Sequence, residues 1–494
     1  MASNPGRVAA VGVWLGPALA LIAYLALAGA AMDEPARRLA AVTVLMAVWW
    51  ITEAIPLAAT ALVPLVLFHP LDISPIRAAA APYADPVIFL FMGGLMLGKT
   101  LERWGAHKRL ALHVILRVGV GPKRIVAGVM IAAAIISAFV SNTATAVMML
   151  PIVVTIATLA GGEGPEGDPS SPKTQRFAAS LLIGLAWACS IGGLATVTGS
   201  PPNGILVGFL GERGVKLTWG GWLMIGLPVT LLLLPTAWLV LVFAARKVKI
   251  TSIPGGREHV RSLLSDLGRP SRPEKITIGV FALTALAWVL HGPVTTWLNA
   301  DRPAEDRLAG LHDAAIAIAA AVVLFLLPAG KGSERGQRVL DWDTARQIPW
   351  GVLLLFGGGL SLAAGFGETG LDVWLGSQLA GMGSPPAWLA VLGVTGLIVF
   401  MTELTSNTAT TSTMLPVLAA ASDGLGMDAG PLLIAATMSA SCAFMLPVAT
   451  PPNAVIFGSG HVTIRQMARA GLWMNLISIG VITAYVSLLG PWLL

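Results

Sequence analysis

The chain has 494 residues, of which 55% are hydrophobic and only 11% charged, with a mean hydropathy of +0.78. Soluble domains carry roughly a quarter charged residues, so a soluble fold is excluded and an all-α polytopic membrane protein is expected. The formal net charge of +6 reflects basic residues gathered in particular loops and gives no nucleic-acid interface, and Cys189 and Cys442, both in apolar runs, predict packing rather than a disulfide framework.

Crossing a bilayer takes about 20 apolar residues, fewer where the bilayer thins or the helix is buried. The first such window, 9–31, has no small-residue cleavage site behind a basic leader and is expected to be a retained span within an N-terminal segment 1–38. Further windows follow at 39–55, 56–71, 86–98, 181–209, 219–245, 276–298, 314–328, 348–366, 431–459 and 470–493, making about eleven transmembrane helices. The second and third are divided only at Ile55 and Pro56, so one long kinked span is an alternative there.

Two other windows, 125–158 and 389–420, are too long for one ordinary crossing. The first contains SNTATAVMMLP (Ser141–Pro151) and the second SNTATTSTMLP (Ser406–Pro416), identical at eight of eleven positions and 406 − 141 = 265 residues apart. Lipid penalises unsatisfied hydroxyls and amides, so these segments are expected to be re-entrant hairpins whose non-helical tips line a cavity or a ligand. A long tilted helix with a serine- and threonine-rich packing face is the alternative, but it requires the same coincidence twice.

The repeat is wider than these hairpins. Phe91–Leu97 (FMGGLML) resembles Phe356–Leu362 (FGGGLSL), again displaced by 265, and Pro201-Pro202-Asn203 recurs as Pro451-Pro452-Asn453, displaced by 250. Three motifs in one order imply duplicated halves, 39–245 and 276–494, each with a hairpin (125–158 or 389–420) and a broken span (181–209 or 431–459). After the first FMGGL come Lys99, Arg103, Lys108, Arg109, Arg117, Lys123 and Arg124, whereas 364–389 holds no lysine or arginine. Cytoplasmic loops accumulate basic residues, so the halves are expected to be inverted relative to each other. The 246–275 linker, with Arg246, Lys247, Lys249, Arg257, Arg261, Arg269, Arg272 and Lys275, is expected on the cytoplasmic side, and 299–313, where Arg302 and Arg307 are outnumbered by Asp301, Glu305, Asp306 and Asp313, on the external side. Alternating apolar and basic residues over 99–118 suit an interfacial amphipathic helix.

Helices broken at the PPN segments free backbone carbonyls and amides. Carbonyls with Ser, Thr and Asn oxygens suit a hard cation such as Na⁺, while helix N-termini with Asn or Thr donors suit a carboxylate or another oxyanion. No lysine or arginine lies in either SNT or PPN segment. A buried dianion there needs bound cations as its counter-charge, which by linkage makes anion and cation binding mutually dependent.

At this point a family likeness becomes specific. WWITEAIPLAATALVPLVLF at residues 49–68, the paired SNTAT motifs, TGSPPN and ATPPN together resemble the divalent anion:sodium symporter family, related to the sodium-coupled dicarboxylate, citrate and sulfate carriers, over residues 39–494. The resemblance implies a homodimer in the lipid bilayer, each protomer pairing a fixed scaffold with a transport domain that moves as an elevator. It further implies substrate contacts from Asn142, Thr143, Ser200, Pro201, Asn407, Thr408, Thr450 and Pro451. One sodium site would use Ser137, Ser141, Asn142 and Gly199, and a second Thr402, Thr405, Asn407 and Ala449, several through carbonyls. Thr405 stands where the family often has a smaller residue, and Pro201 resembles the dicarboxylate carriers. The function the resemblance implies is sodium-coupled uptake of dicarboxylates such as succinate, malate or fumarate across a plasma membrane, expected to be a bacterial inner membrane; exchange, or sulfate or citrate transport, is the alternative.

Other intramembrane polar residues are weighed against this site. Glu53 and Glu403 are candidates for carrying a proton, but hydrogen bonding to amides freed near a break is the favoured role for both. Trp49 and Trp50 fit packing or interfacial anchoring, and His107, His113 and His461 have no metal-ligand spacing. HExxH and GxSxG motifs are absent from the sequence, and the GxxxxGKT spacing at Gly93–Thr100 continues the apolar FMGGL run instead of linking a strand to a helix, so an enzyme is not expected. A passive channel would not explain twin sites.

Overall fold

A computed structural model describes residues 5–160, 171–245, 248, 253, 255–300, 302, 310–330, 336–380 and 385–490. Among these residues the chain is helical, with one isolated bridge between Pro328 and Arg338 and no strand. Eight helices are long and apolar enough to cross a membrane, and four shorter stretches are also apolar.

The first half runs α1 (Pro5–Ala26), α2 (Glu34–Thr52), α3 (Leu57–Thr60), α4 (Val63–Leu67), α5 (Ile76–Ala80), α6 (Pro86–Arg103), α7 (Ala106–Val118), α8 (Pro122–Ser137), α9 (Asn142–Leu159), α10 (Pro172–Gly193), α11 (Pro201–Glu212) and α12 (Trp219–Leu239). After α13 (Gly256–Asp266) the second half runs α14 (Arg272–Leu298), α15 (Asp313–Leu326), α16 (Trp342–Ala345), α17 (Trp350–Thr369), α18 (Leu371–Leu379), α19 (Ala387–Met401), α20 (Asn407–Gly424), α21 (Ala429–Ala440), α22 (Pro451–Gly458) and α23 (Ile464–Leu489). Starts carry their sequence cues. Asp85 accepts from Val87 N at 2.8 Å to cap α6, and Ser271 with Glu274 forms a capping box on α14.

Helices 39–55 and 56–71 are separate antiparallel segments. Arg38 near the start of α2 donates to Leu71 O at 2.8 Å and pairs with Asp72 at 3.2 Å, so the chain returns along α2 instead of continuing it. The reversal falls at Glu53, in the left-handed conformation with φ 47°. Glu53 is exposed there, and Trp50 is buried with its indole donating to Leu57 O at 3.2 Å.

Residues 99–118 are not one helix. Lys99 and Arg103 belong to α6, Gly105 at φ 72° breaks the chain, and α7 begins at Ala106. Its apolar face, with Ala111, Leu112 and Ile115, packs on α8. His107 is buried, its Nδ1 3.0 Å from Leu101 O, rather than at an interface. Arg246, Lys247, Lys249, Asp301, Glu305, Asp306 and Arg307 lie outside the described residues.

The interior is densest around α10, whose Phe177, Leu181, Leu185, Trp187 and Ile191 are all fully buried. A helix apolar on every side belongs at the centre. α1, by contrast, exposes Val11, Trp14, Leu21, Ile22 and Leu25, a surface suited to lipid. The two FxGGL helices meet matching partners: Gly93 of α6 lies against Ala317 of α15, and its repeat mate Gly358 of α17 lies against Ala61 after α3.

Candidate functional site

Each SNT window is two helices meeting at a short tip. Ser141 accepts from Ala144 N at 3.2 Å to start α9, and Ser406 accepts from Ala409 N at 3.5 Å to start α20. Each PPN segment likewise opens a new half-helix, because proline suits the first helical turn, where no N–H is needed.

The tip of each half is bonded to the helix that precedes its break. Ser137 Oγ lies 2.5 Å from Asn142 Oδ1 and 2.8 Å from Cys189 O; in the second half Thr402 Oγ1 lies 2.5 Å from Asn407 Oδ1 and 2.9 Å from Ala440 O. A hydroxyl has one proton to donate, so each triplet of oxygens shares a single hydrogen. That donor set is deficient in protons and fits a hard monovalent cation, which takes oxygen ligands. Gly199 O lies near the first cluster: a Cβ at Gly193 would fall 2.9 Å from both it and Asn142 Oδ1.

The breaks themselves are held alike. Asn203 Nδ2 donates to Gly193 O and Thr196 O at 2.9 and 2.8 Å, and Asn453 Nδ2 to Ala443 O and Leu446 O at 3.2 and 3.0 Å. Freed carbonyls one residue further on are capped by indoles: Trp222 donates to Leu194 O at 3.0 Å and Trp187 to Phe444 O at 3.1 Å. Gly226 of α12 and Gly471 of α23 let those helices approach the same carbonyls, where any Cβ would collide with the oxygen.

The halves also differ. Thr196 Oγ1 donates to Ala138 O, whereas Glu403, the repeat mate of Ala138, accepts from the amides of Phe444, Met445 and Leu446 at 2.7, 2.9 and 2.9 Å and from Asn475 Nδ2 at 2.7 Å. Glu403 therefore holds freed amides, as its sequence context suggested. Thr450 caps its half-helix by accepting from Asn453 N at 3.3 Å, but Ser200 instead meets Ser441 Oγ at 3.0 Å. Among the candidate residues Asn142, Asn407, Ser141, Thr405, Thr408 and Pro201 are half-buried, Thr143 and Pro451 exposed, and Ser137, Gly199, Ser200, Thr402, Ala449 and Thr450 buried. The Thr405 hydroxyl is engaged with Met401 O at 2.9 Å and Thr410 Oγ1 at 2.7 Å, which leaves its carbonyl as the available ligand.

α6 covers the first half's site, with Gly94 against Thr198 and Gly98 against Phe139 O, while Phe139 itself packs on Trp219 and Phe281. The equivalent positions of the second half are open: Leu404 is 71% and Val448 75% exposed. At the end of the fold where α6 begins and α11 and α17 finish, a cavity of about 650 Å³ is lined by Asp85, Glu212, Glu368 and Asp372, with Arg213 paired to Asp423 at 2.9 Å. Among the described residues no group of three His, Cys, Asp or Glu could hold a metal ion.

The model of the sodium:sulfate symporter transmembrane region matches residues 12–494. The chain belongs to this family. It is 39% identical over 490 residues, 99% of this chain and 92% of the relative, to a sodium-dependent dicarboxylate transporter, SdcS, of Staphylococcus saprophyticus. It is 38% identical to the protein of the same name from Staphylococcus aureus over 483 residues, 97% of this chain and 91% of the relative. Among solved structures the crystal structure of the Alcanivorax borkumensis YdaH transporter is similar in fold, with a TM-score of 0.54 at 15% identity, covering 93% of this chain and 99% of that one.

Around the candidate site the structure adds residues not among the expected ligands: the carbonyls of Cys189 and Ala440, the PPN asparagines, Trp187, Trp222 and Ser441. The asparagines were visible as part of a repeated motif. The rest lie in ordinary apolar sequence, where nothing distinguishes a capping indole from a packed one.

Proposed function

We propose that the protein takes up dicarboxylates such as succinate, malate or fumarate together with Na⁺ across a bacterial plasma membrane, working as a homodimer in the bilayer. The observation that carries this reading is the pair of proton-deficient oxygen clusters, Ser137, Asn142 and Cys189 O against Thr402, Asn407 and Ala440 O. They suit cations and lie beside the half-buried Asn142 and Asn407 amides and the accessible Thr143, which can donate to carboxylates. Thr408, Thr450, Ser200, Pro201 and Pro451 would complete the anion site, and Ser141, Gly199, Thr405 and Ala449 the cation sites.

With no lysine or arginine in these segments, a dianion bound there relies on the cations for neutralisation, and each ligand raises the affinity of the other. The names of the staphylococcal relatives support sodium and dicarboxylate as the pair. The contrast between covered Phe139 and Thr198 and exposed Leu404 and Val448 supports movement of the hairpins and broken helices as a unit against α6 and α17.

The test is uptake of labelled succinate into proteoliposomes with and without an inward Na⁺ gradient. Uptake that requires Na⁺ is the expected result. Uptake indifferent to Na⁺ but accelerated by dicarboxylate loaded inside would replace symport with exchange.

A further inference from the structure

Ser200 and Thr450 hold equivalent places at the two breaks, 250 residues apart, yet their hydroxyls do different things. Thr450 accepts from Asn453 N within its own half-helix. Ser200 makes no such cap on α11, and its hydroxyl lies 3.0 Å from Ser441 Oγ of the other half. Both serines are buried, at 2% and 1% exposure. The repeat mate of Ser441 is Ile191, 441 − 250, so no second copy of this contact can form.

Position gives the contact its significance. Ser200 follows Gly199, whose carbonyl borders the same point beside Gly193 as the Asn142 Oδ1 of the first oxygen cluster, and Ser441 follows Ala440, whose carbonyl belongs to the second. A ligand at either carbonyl fixes the peptide plane that carries the next residue. Each hydroxyl can donate or accept but supplies one proton, so the direction of the Ser200–Ser441 bond is shared between the two halves.

We infer that the Ser200–Ser441 hydroxyl pair couples the two cation clusters, making Ser441 a positioning residue for cooperative Na⁺ binding. This rests on the sodium-coupled reading above. Filling one cluster orders its carbonyl, its adjacent serine and, through the hydroxyl contact, the peptide leading to the other cluster. Losing the contact separates two sites that otherwise fill together.

The experiment uses the purified full-length protein without substrate and reads the rise in melting temperature against Na⁺ concentration, with K⁺ as the control. The wild type is expected to respond with a Hill coefficient above 1. Ser441→Ala and Ser200→Ala should each bring the coefficient to about 1 and raise the half-effective Na⁺ concentration about fivefold, the worth of one hydrogen bond. The double variant should be no worse than either single one. Ser441→Thr, which keeps the hydroxyl, should retain the cooperative response, a result that loss of packing alone would not give. An unchanged coefficient in Ser441→Ala, or single effects that multiply in the double variant, overturns the coupling. If Ser441→Ala does not fold, Ser200→Ala decides by the same two criteria. A wild type that responds to Na⁺ with a coefficient of 1 refutes the coupling and leaves sodium binding standing, whereas a wild type with no Na⁺ response removes both.

Discussion

Phe91 and Phe356 meet edge to face, ring centroids 4.6 Å apart and planes at 81°, although 356 − 91 = 265 residues separate them. Equivalent residues of two repeats can touch only beside an axis that relates the repeats, and this aromatic pair is such a contact between the two FxGGL copies. Phe91 also fills the space beside Gly204, just after the first PPN, where a Cβ would collide with its ring. The axis contact and the first broken helix are thereby packed together. Phe91→Ala removes a fully enclosed ring and should cost about 3–5 kcal/mol, read as a large drop in melting temperature in detergent. Phe91→Leu should cost less than half as much.

Gly226 and Gly471 should each refuse a methyl group. A Cβ at either would strike the carbonyl that an indole caps, Leu194 O or Phe444 O, and backbone on both sides leaves little room to shift. Gly226→Ala and Gly471→Ala are expected to lower the melting temperature and reduce Na⁺-dependent succinate uptake by at least about tenfold, as misplacement of a tightly packed site does. Gly279→Ala, with open space around it, should leave both unchanged.

Glu403 bonds to three amides and an asparagine, so its replacement has a defined price in hydrogen bonds. Glu403→Gln turns one acceptor oxygen into a donor facing N–H groups, and the expected loss is about 3 kcal/mol for a buried charged acceptor. Thermal unfolding measures it. Equal stability of the variant would mean that the three amides have another acceptor.

Glu212 stands beyond the apolar run of α11, in the acidic cavity. Burial, and then the charges of Asp85 and Glu368, push its carboxyl from 4.5 up to about 8. Between those values the folded chain keeps a proton that the unfolded chain has released, so stability falls as pH rises from 4.5 to about 8 and levels off above. Glu212→Gln should flatten that part of a melting-temperature profile taken from pH 5 to pH 9. A variant with the wild-type slope would assign the pH dependence to another group.

Much of this arrangement was legible in the sequence because its chemistry is unusual for lipid. Hydroxyls, amides and prolines inside apolar windows had to mark tips and breaks, and the windows 125–158, 181–209, 389–420 and 431–459 each divide at the motif they contain. The path between α2 and α4 was not legible, because Arg38 settles it through a contact with Leu71 that no local pattern encodes. The boundary at Gly105 was hidden in the same way: alternating apolar and basic residues continue across it, and only its φ of 72° separates α6 from α7. Nothing local marks Trp187 and Trp222 as caps, because that role depends on which carbonyls the breaks leave free. The difference between Ala138 and Glu403 was visible in the aligned repeats, but what the carboxylate binds lies in a helix break some forty residues further on.

Because Ser137 and Thr402 fasten each hairpin tip to the helix before the neighbouring break, neither tip is a flap with its own hinge. Opening one would break the Ser137 or Thr402 hydrogen bonds that join it to that helix. A hairpin tip and the helix it is fastened to therefore move together or not at all.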